Sequence, residues 1–96
     1  MNANAVKNGI TYEKKAAKRH GATHVGGPGK VDYTRGETKG EVKARVTKVT
    51  KPELQKLITE KGVNQVDSKS GFTKPALEYR DRYHPEVKLF HKTKRV

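Results

Sequence analysis

The sequence predicts an α/β fold, a mixed sheet with helices packed on its faces, and three observations carry that prediction. The segment Lys39-Gly40-Glu41-Val42-Lys43-Ala44-Arg45-Val46 alternates charged and apolar residues with the period of a strand. Thr50-Lys51-Pro52-Glu53 and Thr73-Lys74-Pro75 repeat one helix start, a capping threonine followed by proline where the first turn tolerates it. After Val49 every strand-like segment is reached through a helix, and such crossovers join parallel neighbours.

Taken in order, Met1 to Gly9 is small and polar, and fraying is expected there. Ile10 to His20 is rich in helix formers, and Gly21 suits its C-terminal cap. Ala22 to Val25 has the length of a short strand, and Gly26-Gly27-Pro28-Gly29 must be a turn or loop. Lys30 to Thr34 reads as a strand, Arg35 to Thr38 as a turn, and Lys39 to Thr47 as the returning strand. In that hairpin Val42, Ala44 and Val46 would face the core. Leu54, Leu57 and Ile58 form one apolar stripe on the next helix, which Gly62 closes. Val63 to Asp67 suits a strand, a polar turn follows, and a helix runs from Thr73-Lys74-Pro75 to about Tyr83, stopped by Pro85. Val87 to His91 is the last strand and Lys92 to Val96 a basic tail. The predicted order is helix, three strands, helix, strand, helix, strand, in a single domain over residues 1–96.

Ninety-six residues with 22 Lys and Arg against 10 Asp and Glu carry a formal charge of +12, which makes nucleic acid the leading partner. No apolar run approaches a membrane span, and the N-terminus lacks the apolar core of a signal peptide, so a soluble, cytoplasmic protein without membrane contact is expected. The absence of cysteine excludes disulfides, zinc ribbons and thiol catalysis. Hydrophobic residues make up only 31% of the chain, so the isolated core should be thin and a homodimer is expected. Its contact would lie between Phe72 and Phe90.

The strand reading places Glu41 and Lys43 on one face, roughly 6 to 7 Å apart, and an antiparallel neighbour would bring Asp32 close to Glu41. Two carboxylates and an ammonium in one place suit a magnesium-dependent phosphodiesterase, because Mg²⁺ takes oxygen ligands and usually one or two carboxylates. Asp32 and Glu41 would be the metal ligands, with the carbonyl of Val42 as a third. Lys43 would orient or help deprotonate the attacking water, Glu13 could approach from the first helix, and Gln55 could bind water or phosphate. Lys14, Lys18, Lys30, Arg35, Arg45, Lys48, Lys51, Lys69 and Lys74 are the candidate phosphate contacts. Against these stand ordinary readings: a charged edge strand that blocks aggregation, surface pairing of Glu13 with neighbouring lysines, and Gln55 as a plain surface residue.

Gly26-Gly27-Pro28-Gly29-Lys30 lacks the ending of a phosphate-binding loop, since Val31 stands where the hydroxyl would be, so no nucleotide cofactor is expected. His20 and His24 have i, i+4 spacing, but Gly21 interrupts the helix that would align them into a zinc site.

Glu13 on a helix, Val31-Asp32, a short hairpin and Glu41-Val42-Lys43 together resemble the PD-(D/E)xK superfamily of restriction-endonuclease-like nucleases, with Val31 in place of the usual proline. Ser70 to Tyr79, followed by Val87-Lys88-Leu89-Phe90, looks like the end of Mrr-type endonuclease domains, and the archaeal Holliday-junction resolvases share the Glu, Asp and Glu-x-Lys arrangement. The resemblance spans about Ile10 to Phe90. It implies a DNA endonuclease using Mg²⁺, with Mn²⁺ able to substitute, that leaves a 5′-phosphate and a 3′-hydroxyl. A chain this short leaves no room for a sequence-reading domain, so branched DNA is the expected substrate and a two-fold dimer its match. The rival class is a non-catalytic basic nucleic-acid-binding protein.

Overall fold

The computed structural model describes residues 3–27 and 29–96, with side chains from residue 11 onward. The elements are α1 (Ala3–Arg19), β1 (Thr23–His24), β2 (Tyr33–Arg35), β3 (Thr38–Lys43), α2 (Lys51–Thr59), β4 (Gln65–Ser68), α3 (Lys74–Tyr83), β5 (Lys88–His91) and β6 (Lys94–Arg95). They build a six-stranded mixed sheet in the order β1-β2-β3-β4-β5-β6. The β3–β4 and β4–β5 pairs are parallel, as their helical crossovers require, and the remaining pairs are antiparallel. No helix among the described residues is long and apolar enough to cross a membrane.

Register divides the sheet into two faces. Tyr33, Val42, Asp67 and Phe90 lie on one, where Ala16 and Ala17 of α1 pack against Tyr33 and Val42. Glu41, Val66 and Leu89 lie on the other, where Leu54 and Leu57 of α2 and Ala76 and Tyr79 of α3 form the larger core. The capping threonines act as their sequence suggests. Thr50 N–H donates to Glu53 Oε1 at 3.4 Å, and Thr73 Oγ1 accepts from Ala76 N–H at 3.3 Å. Within β3, Gly40 faces Tyr33 so closely that a Cβ there would lie 2.0 Å from the ring carbon bearing its hydroxyl.

Four expectations need correction. The first helix starts at Ala3, so the frayed segment expected through Gly9 is helical from that residue; Met1 and Asn2 lie outside the described residues. The returning strand of the hairpin ends at Lys43, and Val46 is 88% exposed instead of facing the core. The reason is the short parallel partner: β4 ends at Ser68, Lys69 N–H donates to the Lys43 carbonyl, and among the described residues no strand continues alongside Ala44 to Thr47. The strand expected from Lys30 is regular only from Tyr33: the Asp32 N–H still donates to the Gly40 carbonyl, but the next β3 donor, Val42 N–H, is taken by the Asp32 side chain. Finally, the basic tail folds back as β6, antiparallel to β5 through a turn in which Lys92 has φ 57°.

Candidate active site

Asp32 sits where β2 begins, beside the middle of β3. Its N–H donates to the Gly40 carbonyl, while its Oδ2 accepts from Val42 N–H at 2.7 Å. Burial, against the opposing pull of that hydrogen bond, pushes its carboxyl up to about 6, and the nearby charges of Glu41 and Glu13 push in the same direction. Asp32 thus lies within reach of the charges of Glu41 on β3 and Glu13 on α1, with Lys61 acting in the opposite direction.

Glu41 is buried on β3 and is held by two ammonium groups. Lys61 Nζ donates to Oε1 at 3.0 Å, and Lys43 Nζ stands 3.3 Å from Oε2. The contact with Lys43 follows from the strand period, since residues two apart point to the same face. Lys61, immediately before the Gly62 turn that follows α2, carries no periodic signal in the sequence. Its attraction to a buried carboxylate appears only once the chain has folded. Glu13 Oε2 pairs with His24 Nε2 at 3.1 Å, so His24 serves a carboxylate and not a zinc site with His20. This pairing also replaces the surface lysine partner that was the ordinary reading for Glu13.

Glu41 and Lys43 are thus in contact and Asp32 is within the reach of Glu41's charge, whereas Glu13 sits on the α1 side of the sheet, paired with His24, and Gln55 is apart from all of them. It is exposed on α2 and lines a cleft with Lys51, Tyr79, Tyr83 and His84. The helix stripe that buries Leu54 and Leu57 turns Gln55 toward that cleft and solvent.

Among the candidate phosphate contacts, Lys14, Lys18, Lys30, Lys48, Lys51, Lys69 and Lys74 are exposed. Arg45 is committed to Glu53 by an ion pair, which raises the arginine pKa and lowers that of the glutamate. Arg35 donates through Nη1 to the His20 carbonyl at 3.0 Å, on the sheet face away from Glu41.

The donor set fits a hard divalent cation in its chemistry. Asp32 and Glu41 offer oxygen ligands, and the burial that chiefly raises the Asp32 pKa, with the charge of Glu41 adding to it, is a cost to the carboxylate that a cation would relieve. Two ammonium groups, Lys43 and Lys61, already occupy Glu41. No group of three or more His, Cys, Asp or Glu side chains among the described residues is arranged to hold a metal by itself. A cation here would depend on two carboxylates, backbone carbonyl and water.

The sequence reasoning missed Asp67, which is fully buried on β4. Its Oδ1 accepts from Arg19 Nη2 at 2.9 Å and contacts His20 Nε2 at 2.8 Å, and its Oδ2 accepts from the Tyr33 hydroxyl at 2.5 Å. Burial and the Asp67 hydrogen bond push the Tyr33 phenol pKa far upward. An acid directly after Val66 in the strand segment Val63 to Asp67 was the available signal, because a carboxylate carried into a sheet must find partners. Comparison with protein-family models, with curated proteins and with solved structures returned no match.

Proposed function

We propose that this chain is a magnesium-dependent DNA endonuclease of the restriction-endonuclease-like type, acting on branched DNA such as four-way junctions. One observation carries the reading: the Asp32 carboxyl, at the start of β2, lies within the electrostatic reach of Glu41 on β3, which Lys43 contacts, in a chain of charge +12, while Glu13 acts on Asp32 from α1 across the sheet. Asp32 and Glu41 would hold the ion, with the Val42 carbonyl as a further ligand. The bound ion would supply an acidified water and Lewis-acid stabilisation of the phosphoryl oxygens. Lys43, already on Glu41, would orient the attacking water and offset charge developing on phosphorus. Lys61 would leave Glu41 for solvent or a DNA phosphate when the ion binds. The exposed lysines of α1 and of the 26–30 loop would carry the DNA backbone. Two copies, one per scissile strand, would act on a junction.

A second reading is favoured by the ammonium groups on Glu41: the acids are structural, and the chain is a non-catalytic nucleic-acid-binding protein. Nicking of plasmid and of linear, flap, single-stranded and four-way-junction DNA, with and without Mg²⁺, separates the two. Metal-dependent cleavage lost in Asp32→Ala supports the nuclease. Binding with no cleavage of any substrate under Mg²⁺ or Mn²⁺ supports the second reading.

A further inference from the structure

Beyond the Asp32–Glu41 region, the sheet face that carries α1 holds a cavity of about 410 Å³ beside the C-terminal end of that helix. Arg19, His20, Arg35, Lys88, Phe90 and Arg95 line it. Glu41 lies on the opposite face, while Lys88 and Gln65 share the Tyr33 face by register. This cavity and the carboxylate site are therefore separate.

Four cationic side chains surround this cavity, no acid among the described residues lines it, and the Asp67 beneath it is fully buried and engaged. Its Oδ1 is taken by Arg19 and His20 and its Oδ2 by Tyr33, whose hydroxyl also accepts from Gln65 Nε2 at 2.7 Å. The buried carboxylate thus fixes Arg19 and His20 in the wall and is itself not part of the cavity lining. None of Arg35, Lys88 and Arg95 has a carboxylate partner within salt-bridge distance among the described residues. Like charges concentrated around a concavity repel one another, and a bound anion offsets that repulsion. The cavity is larger than a bare phosphate requires. The ring of Phe90, 4.6 Å from that of His20 between centroids, adds an apolar wall against which a sugar or base can rest.

We propose that this cavity binds a nucleotide through its phosphate monoester, with Arg35, Lys88 and Arg95 on the phosphate and Phe90 beside the nucleoside. The chemistry is shared by a free mononucleotide and by the phosphorylated end of a nucleic-acid strand. It is independent of whether the Asp32–Glu41 site cleaves DNA.

The test is binding in EDTA at about 150 mM salt, where exposed charges more than roughly 8 Å apart are largely screened. Fluorescence anisotropy compares a 5′-phosphorylated single-stranded oligonucleotide with its dephosphorylated twin, and adenosine monophosphate is titrated by NMR. The wild-type chain is expected to prefer the phosphorylated oligonucleotide by about fivefold or more, as charge-assisted hydrogen bonds to a dianion imply. Arg35→Ala/Lys88→Ala should abolish that preference. Lys56→Ala/Lys92→Ala, with the same loss of charge at exposed positions outside the cavity lining, should keep it. Shifts at Phe90 and His20 with adenosine monophosphate would identify the free nucleotide as a ligand. Preference for the phosphorylated strand without such shifts would assign the site to strand ends. Equal affinity for both oligonucleotides with no response to the mononucleotide overturns the proposal, as does an equal loss of preference in the two double variants.

Discussion

At the residue scale, Asp32 carries the sharpest consequence. Its folded pKa, raised from 3.8 to about 6, means that the folded chain binds its proton more tightly than the unfolded chain does. Its contribution to stability is complete below about pH 4, is lost as pH rises through about 6, and stays lost above. Asp32→Asn keeps an oxygen to accept the Val42 N–H bond and removes that loss. The variant should melt about 5 °C higher than wild type at pH 8, the shift that roughly 1 kcal/mol gives a domain of this size, and the gap should close toward pH 4. Calorimetry across that range checks it, and equal melting temperatures at pH 8 would mean that burial does not cost the ionised Asp32 carboxyl stability. Added Mg²⁺ should stabilise wild type at pH 8 and leave Asp32→Asn unmoved. Lys43 differs, since Lys61 continues to neutralise Glu41 when it is removed. Lys43→Ala should therefore fold and bind DNA normally while single-turnover cleavage falls by roughly 10²-fold or more. An unchanged rate would make Lys43 a plain ion-pair partner.

At the element scale, β3 depends on the glycine at its centre. The Tyr33 ring lies across Gly40 where a side chain would stand, with its hydroxyl anchored to Asp67 and Gln65. Gly40→Ala should cost about 2 kcal/mol or more, because the ring is held at both its face and its tip and cannot give way cheaply. Urea unfolding measures this, and a cost below about 0.5 kcal/mol would mean that the β2–β3 pair shifts to make room. Legibility followed the same division between local and tertiary causes. Helix starts at Thr50 and Thr73, the hairpin and the strand-helix order after Val49 are written in caps, prolines and periodicity, and these were readable. The pairing of Glu41 with Lys43 was readable too, being two residues of one strand. The end of β3 at Lys43 was not, since it is set by the length of a strand more than twenty residues away. Lys61 and Asp67 were hidden for the same reason: their partners, Glu41 in one case and Arg19, His20 and Tyr33 in the other, are distant in sequence.

At the scale of the whole molecule, the homodimer expected from a thin core meets a different distribution of apolar surface. Phe72, Tyr79, Val87 and Leu89, the residues that would have formed its contact, are buried in the chain's own core, and Tyr83 is the large apolar side chain left exposed in that half. Both sheet edges are two-residue strands, and β6 presents Lys94 and Arg95, so pairing of copies edge to edge would oppose like charges. With +12 on each copy, the free chain should be a monomer. If the proposed junction-cleaving function holds, a four-way junction would change the balance, because its phosphates would neutralise the charge that keeps two copies apart and it presents two equivalent strands to one two-fold pair. Light scattering at moderate salt should give the 10.7 kDa mass for the free chain and two chains per junction when DNA is added. The assembled state should disappear steeply between about 50 and 200 mM salt, as counterion release requires. A single chain per junction at saturation would remove the paired-strand model while leaving the carboxylate site open to test on simpler DNA.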